Sequence, residues 1–123
     1  MLAVDRNNPQ VANLYDALHP AVLSAIKQIV VGAHEHGKPV SVCGEMASDP
    51  AAAIVLLGMG VDSLSMSNSS ILKVKWVIRN FSFQYAQEIV NEVLAMENAK
   101  TVRHYLDSIM EEAGLGGLLR PGK

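Results

Sequence analysis

The stretch Gly37-Lys38-Pro39-Val40-Ser41-Val42-Cys43-Gly44-Glu45-Met46-Ala47-Ser48-Asp49-Pro50 decides how this chain is read. Its β-branched run predicts a short buried strand over residues 40–43, ending on the single cysteine of the chain. Asp49-Pro50 and the apolar run after them read as the start of a helix. A strand feeding a helix is the repeating unit of a parallel α/β sheet. In such sheets ligands bind, and chemistry is placed, at the C-terminal tips of the strands. Cys43 therefore sits at a privileged position, beside a flexible glycine and a carboxylate, Glu45. Position alone leaves two readings open: a small buried hydrophobe, as most free cysteines are, or a thiol placed for chemistry.

Upstream of this stretch, Pro20 suits a first helical turn. Val22, Leu23, Ile26, Ile29 and Val30 repeat at helical spacing, and Gly37 closes the helix, which predicts an element over residues 20–36. Downstream, a helix is expected over 49–58, and Gly60 leads into a second strand over 63–66. Ser69 or Ser70 caps a helix running through Trp76 to Arg79. Ser82 caps a helix carrying Ile89, Val90, Val93 and Leu94. Asn98 caps another carrying Val102, Leu106, Ile109 and Met110. The first 18 residues show no sustained period, and Asn7-Asn8-Pro9 is a turn signal that puts Asp5 and Arg6 on a loop entry. Residues 113–123, rich in glycine, are expected to form a flexible tail.

At 123 residues the chain is at most one domain. Half of it is hydrophobic and only 18% is charged, below the ~25% usual for soluble domains, which suggests surfaces that need a partner. A net charge of -2 gives no general attraction to nucleic acid or to an acidic membrane. One cysteine excludes an internal disulfide and a multi-cysteine metal site. With no membrane-spanning stretch and no signal-peptide layout, a cytoplasmic location is expected. Two parallel strands with bare edges are not a self-sufficient core, so the chain reads as a piece of something larger.

Four ordered motifs then carry a resemblance: Leu-Ala-Val-Asp-Arg-Asn-Asn-Pro at 2–9, Leu-His-Pro-Ala-Val-Leu at 18–23, the 37–50 stretch, and Gly-Val-Asp-Ser-Leu-Ser-Met-Ser at 60–67. Together they resemble the C-terminal end of the phosphoenolpyruvate-binding barrel of bacterial enzyme I, the phosphoenolpyruvate-protein phosphotransferase. The likeness is strongest to the nitrogen-type enzyme I, whose complete form carries a GAF domain. Pyruvate phosphate dikinase and phosphoenolpyruvate synthase share the barrel and a related Cys-Gly-Glu segment. The resemblance covers nearly the whole chain, fading toward the C-terminal tail. It implies an α/β fold forming part of a (β/α)8 (TIM) barrel: the last two to three β/α units plus two C-terminal helices. It also implies phosphoenolpyruvate as substrate, Mg2+ in the complete enzyme, and a homo-oligomer. The phosphoryl group would pass to a histidine on another domain and then to a phosphocarrier protein.

By the same resemblance, Cys43 matches the general acid that protonates C3 of the pyruvate enolate. Arg6 matches an arginine that contacts the anionic substrate, although Asn7-Asn8 stands where glycine-asparagine is commoner. Gly44 and Glu45 are supporting candidates. The chemistry agrees. Phosphoryl transfer rests on positioning and charge neutralisation, which a guanidinium supplies. A thiol, with a reference pKa of ~8.5, still holds its proton near neutral pH. With the motifs included, the catalytic reading of Cys43 is favoured over packing. Arg6 taken alone reads as a solvated loop residue, and Glu45 equally as a structural carboxylate.

The four histidines carry less. His34 and His36 read as contacts to a helix C-terminus, His19 as a turn residue, His104 as a helix-surface one. Met59, Met66 and Trp76 read as core or packing residues. The family's metal-binding residues, most of its phosphate-binding arginines and its phosphohistidine would precede Met1. The chain alone is therefore expected to hold no metal site and to be inactive, and the alternative is a non-catalytic dimerisation or interaction module derived from the barrel.

Overall fold

The computed structural model describes residues 17–115. The expected loop around Arg6 and residues 116–123 of the expected tail lie outside the described residues. A helix over Pro20–Glu35 (α1) comes first, followed by a strand at Ser41–Cys43 (β1). A single-turn helix at Glu45–Ser48 (α2) then leads into Pro50–Met59 (α3). The second strand, Ser63–Ser65 (β2), precedes three helices at Asn68–Arg79 (α4), Phe83–Leu94 (α5) and Ala99–Glu112 (α6). The result is a helix-dominated α/β arrangement. β1 and β2 pair in parallel with Ser41 opposite Ser63, Val42 opposite Leu64 and Cys43 opposite Ser65.

Local chemistry explains most boundaries. Side-chain oxygens of Asp49, Ser82 and Asn98 accept hydrogen bonds from the backbone N–H groups of Ala51, Tyr85 and Thr101, so three helices begin on conventional caps. α1 is capped less commonly: His19 Nδ1 accepts the Ala21 N–H at 3.1 Å, so His19 is a cap rather than a plain turn residue. At its other end the Lys38 and Gly37 N–H groups reach the Ala33 and His34 carbonyls, the paired closure of a Schellman motif. α2 was not legible in the sequence. It is four residues long, between Gly44 and the Asp49 that caps the next helix.

The core belongs to the helices. α3 is buried on every side: Ala51 to Leu56 are all at most 1% exposed. It packs against α5 on one side, with α4 and α6 closing the rest. Gly58 makes that approach possible, because a Cβ there would run into the Ala86 backbone of α5. Leu18, Leu23, Ile54, Val77, Ile89, Val93, Leu106 and Met110 complete the cluster. Leu115, inside the expected tail, is buried too, and its N–H bonds the Met110 carbonyl at 2.8 Å.

Two expectations are corrected here. β1 is not a buried strand: Ser41 and Cys43 are exposed and Val42 is only half-buried. Among the described residues the sheet has two strands, each with an unpaired edge, and the apolar helices bury one another instead. Trp76 is not a core residue either. It is 61% exposed on α4, where Val74 and Val77 face inward.

Candidate active site

Cys43 ends β1, and its Cα partner across the ladder is Ser65, so the C-terminal tips of both strands lie side by side. They open onto a depression of about 670 Å³, walled on one side by Cys43, Gly44 and Glu45 and on the other by Ser65, Ser67 and Ser70. Among the described residues the thiol is free and exposed. Gly44 turns the chain out of the strand at φ 89° and ψ -160°, a region essentially reserved for glycine, so a side chain here would strain the turn behind the thiol. Glu45 follows as the exposed first residue of α2. Thus Cys43, Gly44 and Glu45 are brought together, while Arg6 lies outside the described residues.

Asp49 stands on the same wall. One carboxylate oxygen, Oδ1, caps α3 through the Ala51 N–H at 3.0 Å, and the other, Oδ2, accepts Nη1 of Arg103 at 2.6 Å. Arg103 comes from α6, 54 residues further on. Asp107, also on α6, has its carboxyl pushed up chiefly by burial. Arg103 opposes that shift and Asp49 adds to it. Sequence reasoning missed Arg103, since no local pattern announces a contact across that distance. It missed the wall of Ser67 and Ser70 as well, although Ser67 closes the 60–67 motif.

The opposite end of the sheet is held by a different group. Asp62 Oδ2 accepts the Val40 N–H at 2.7 Å and lies 2.8 Å from Nε2 of His34, which must donate to a carboxylate. The His34 hydrogen bond, followed by that from Val40, holds the Asp62 carboxyl below its ordinary value of 3.8. His34 stands in the last turn of α1, and its ring ties that turn to Asp62, the residue before β2. His36 makes the expected contact with the helix C-terminus, its Nδ1 2.9 Å from the Gly32 carbonyl. Among the described residues no group of three or more His, Cys, Asp or Glu could hold a metal ion.

The class of protein follows from the sequence match. Residues 1–83 match the PEP-binding domain of the PEP-utilising enzymes, so the chain belongs to that family. It is 44% identical over 122 residues to a Salmonella typhimurium protein named phosphoenolpyruvate-dependent phosphotransferase system, and 43% identical over 122 residues to its Escherichia coli K12 namesake. Over 114 residues it is 40% identical to the phosphoenolpyruvate-protein phosphotransferase of Haemophilus influenzae. These alignments take in 99%, 99% and 93% of this chain but 16%, 16% and 20% of the relatives, so the chain spans a small part of their length.

Proposed function

We propose that residues 1–123 act as the C-terminal portion of the phosphoenolpyruvate-binding (β/α)8 barrel of a phosphoenolpyruvate-protein phosphotransferase, with Cys43 as the general acid. One observation carries this reading: an exposed thiol at the tip of β1, on the rim of an open depression shared with the tip of β2. When the phosphoryl group passes to the acceptor histidine of another domain, a P–N bond forms as the P–O bond breaks, and pyruvate is left as its enolate. Cys43 gives its S–H proton to C3 and is reprotonated from solvent. Gly44 and Glu45 support the turn that presents the thiol, and Arg6 is assigned to the anionic substrate.

The barrel reading is supported by what the sheet leaves open. Among the described residues both strands have an unpaired edge, and an apolar cavity of about 420 Å³ runs along β2 between Leu56, Leu64, Ile71, Val74 and Ile78. Neighbouring β/α units would pair that edge and fill that cavity. Mg2+ is assigned to the complete enzyme. The described residues do not offer a ligand set for it, and no step above passes through it. A phosphocarrier protein is the assigned acceptor downstream of the phosphohistidine. No helix of the described residues is long and apolar enough to cross a membrane.

The exposed face of α4, with Leu72 at 78% and Trp76 at 61%, favours a second reading: an interaction module that assembles with a further copy. One experiment separates the two. This chain is exchanged for the matching 16% of the Escherichia coli relative, and pyruvate release and phosphocarrier labelling are followed. The catalytic reading expects activity in the exchange protein and an approximately 10²- to 10⁴-fold loss of pyruvate formation on Cys43→Ala. Undiminished pyruvate formation in Cys43→Ala would overturn it. The 123-residue chain by itself is expected to release no pyruvate from phosphoenolpyruvate, Mg2+ and carrier.

A further inference from the structure

We infer that Arg103, on the C-terminal helix α6, is a positioning residue for the Cys43 depression: it fixes Asp49 and cancels its charge on the wall that an anionic substrate must approach. This rests on the reading of that depression as the substrate site.

Asp49 is a junction. Its N–H closes α2 onto the Met46 carbonyl, its Oδ1 starts α3, and it lines the depression together with Cys43 and Glu45. The segment from Cys43 to Asp49 therefore moves as Asp49 moves. A carboxylate in that position is awkward for phosphoenolpyruvate chemistry, because it sets a negative charge beside a negatively charged ligand. The 2.6 Å bond from Arg103 Nη1 answers both needs. It anchors the junction to α6, and it places a permanent cation against the carboxylate on the side away from the cap. The pair is about two-thirds buried on the arginine side and three-quarters on the aspartate side, so solvent screens it only in part. Asp107 is part of the same small cluster, since Arg103 and Asp49 pull its carboxyl in opposite directions. An arginine between two acids on different elements ties the C-terminal helix to the site in a way that packing alone would not require.

The test uses the 123-residue chain and Cys43 as reporter, so it does not depend on catalysis. Cys43 is modified in parallel with neutral iodoacetamide and with the dianion 5,5′-dithiobis(2-nitrobenzoate). The ratio of the two rates reads the local field. Charges about one Debye length apart change such a rate about twofold per unit charge, so Arg103→Met is expected to lower the anionic-to-neutral ratio about two- to fourfold. Arg103→Lys should restore most of it, and Asp49→Asn should raise it. In the Asp49→Asn background, Arg103→Met should bring the ratio back to near the parent's, since both charges are then gone. A ratio unmoved by Arg103→Met, or both rates rising equally because the turn has only loosened, would overturn the inference. Failure of the Cys43→Ala test in the exchange protein would instead strike the catalytic reading and leave this field measurement standing.

Discussion

Replacing Gly58 by alanine tests the packing of α3 on α5 in a way that helix propensity alone gets wrong. Gly58 lies inside α3, where Gly→Ala by itself would favour the helix by about 1 kcal/mol. The new Cβ, however, would be driven into the Ala86 carbonyl oxygen. It would sit 2.6 Å from the Ala86 carbonyl carbon and 2.7 Å from Cγ2 of Val90. Two of these three atoms are backbone, and Ala86 and Val90 are themselves almost fully buried, so no flexible side chain can swing aside. The helices must separate instead, loosening Ile54, Val55 and Ile89 around them. Overpacking of this kind costs about 1–3 kcal/mol, and a rigid backbone neighbour belongs at the upper end. The net expectation is a loss of about 2 kcal/mol, which for a chain of this size lowers Tm by roughly 8 °C. Thermal and urea unfolding followed by far-ultraviolet circular dichroism measure it, with the m-value checking that the unfolding reaction is unchanged. A Tm equal to or above the parent's, at unchanged m, would refute the close-approach argument.

Two further perturbations address the sheet end and the surface. Because the folded Asp62 carboxyl is held below 3.8, its pairing stabilises the fold fully above that value. The contribution is lost as the pH falls from 3.8 toward the lower folded pKa. Asp62→Asn should therefore flatten the acid limb of the stability-versus-pH curve, and an unaltered limb would show that the tie to His34 and Val40 contributes nothing. Leu72→Gln with Trp76→Gln should leave stability within about 0.5 kcal/mol, since both side chains are exposed, while lowering the weight-average mass in sedimentation equilibrium if α4 mediates self-association.

Much of the helical layout was legible because its signals are local. Ser82 and Asn98 cap the helices they were expected to cap, and Leu106, Ile109 and Met110 recur on one face at helical spacing and are buried. Strand existence and order were also readable, within a residue at each boundary, from the β-branched run before Cys43 for the first and from the turn at Gly60 for the second. Burial of the strands was not. A β-branched run implies cover, but cover depends on neighbours that a run of four residues does not encode. Trp76 misled for a related reason, because large apolar residues are usually inside and only the packing partner of α4 decides which face that is. At the site, Cys43, Gly44 and Glu45 are contiguous, so the motif kept them together. Arg103, the wall of Ser67 and Ser70, and the His34–Asp62 tie depend on contacts across 28 to 54 residues or on the opposing strand tip, where chain spacing carries no signal.

The all-round burial of α3 has a consequence during synthesis. An amphipathic helix can wait with its polar face outward, but from Ala51 to Leu56 α3 has no such face. Its principal cover, α5, ends only at Leu94, so at ordinary elongation rates α3 is made roughly 2–7 s before that cover is complete. For that interval the nascent chain displays a short, uncharged apolar segment, which is the kind of sequence that ribosome-associated chaperones bind. Delivery of this chain is thus paced by the arrival of α5, whatever the site at the strand tips goes on to do.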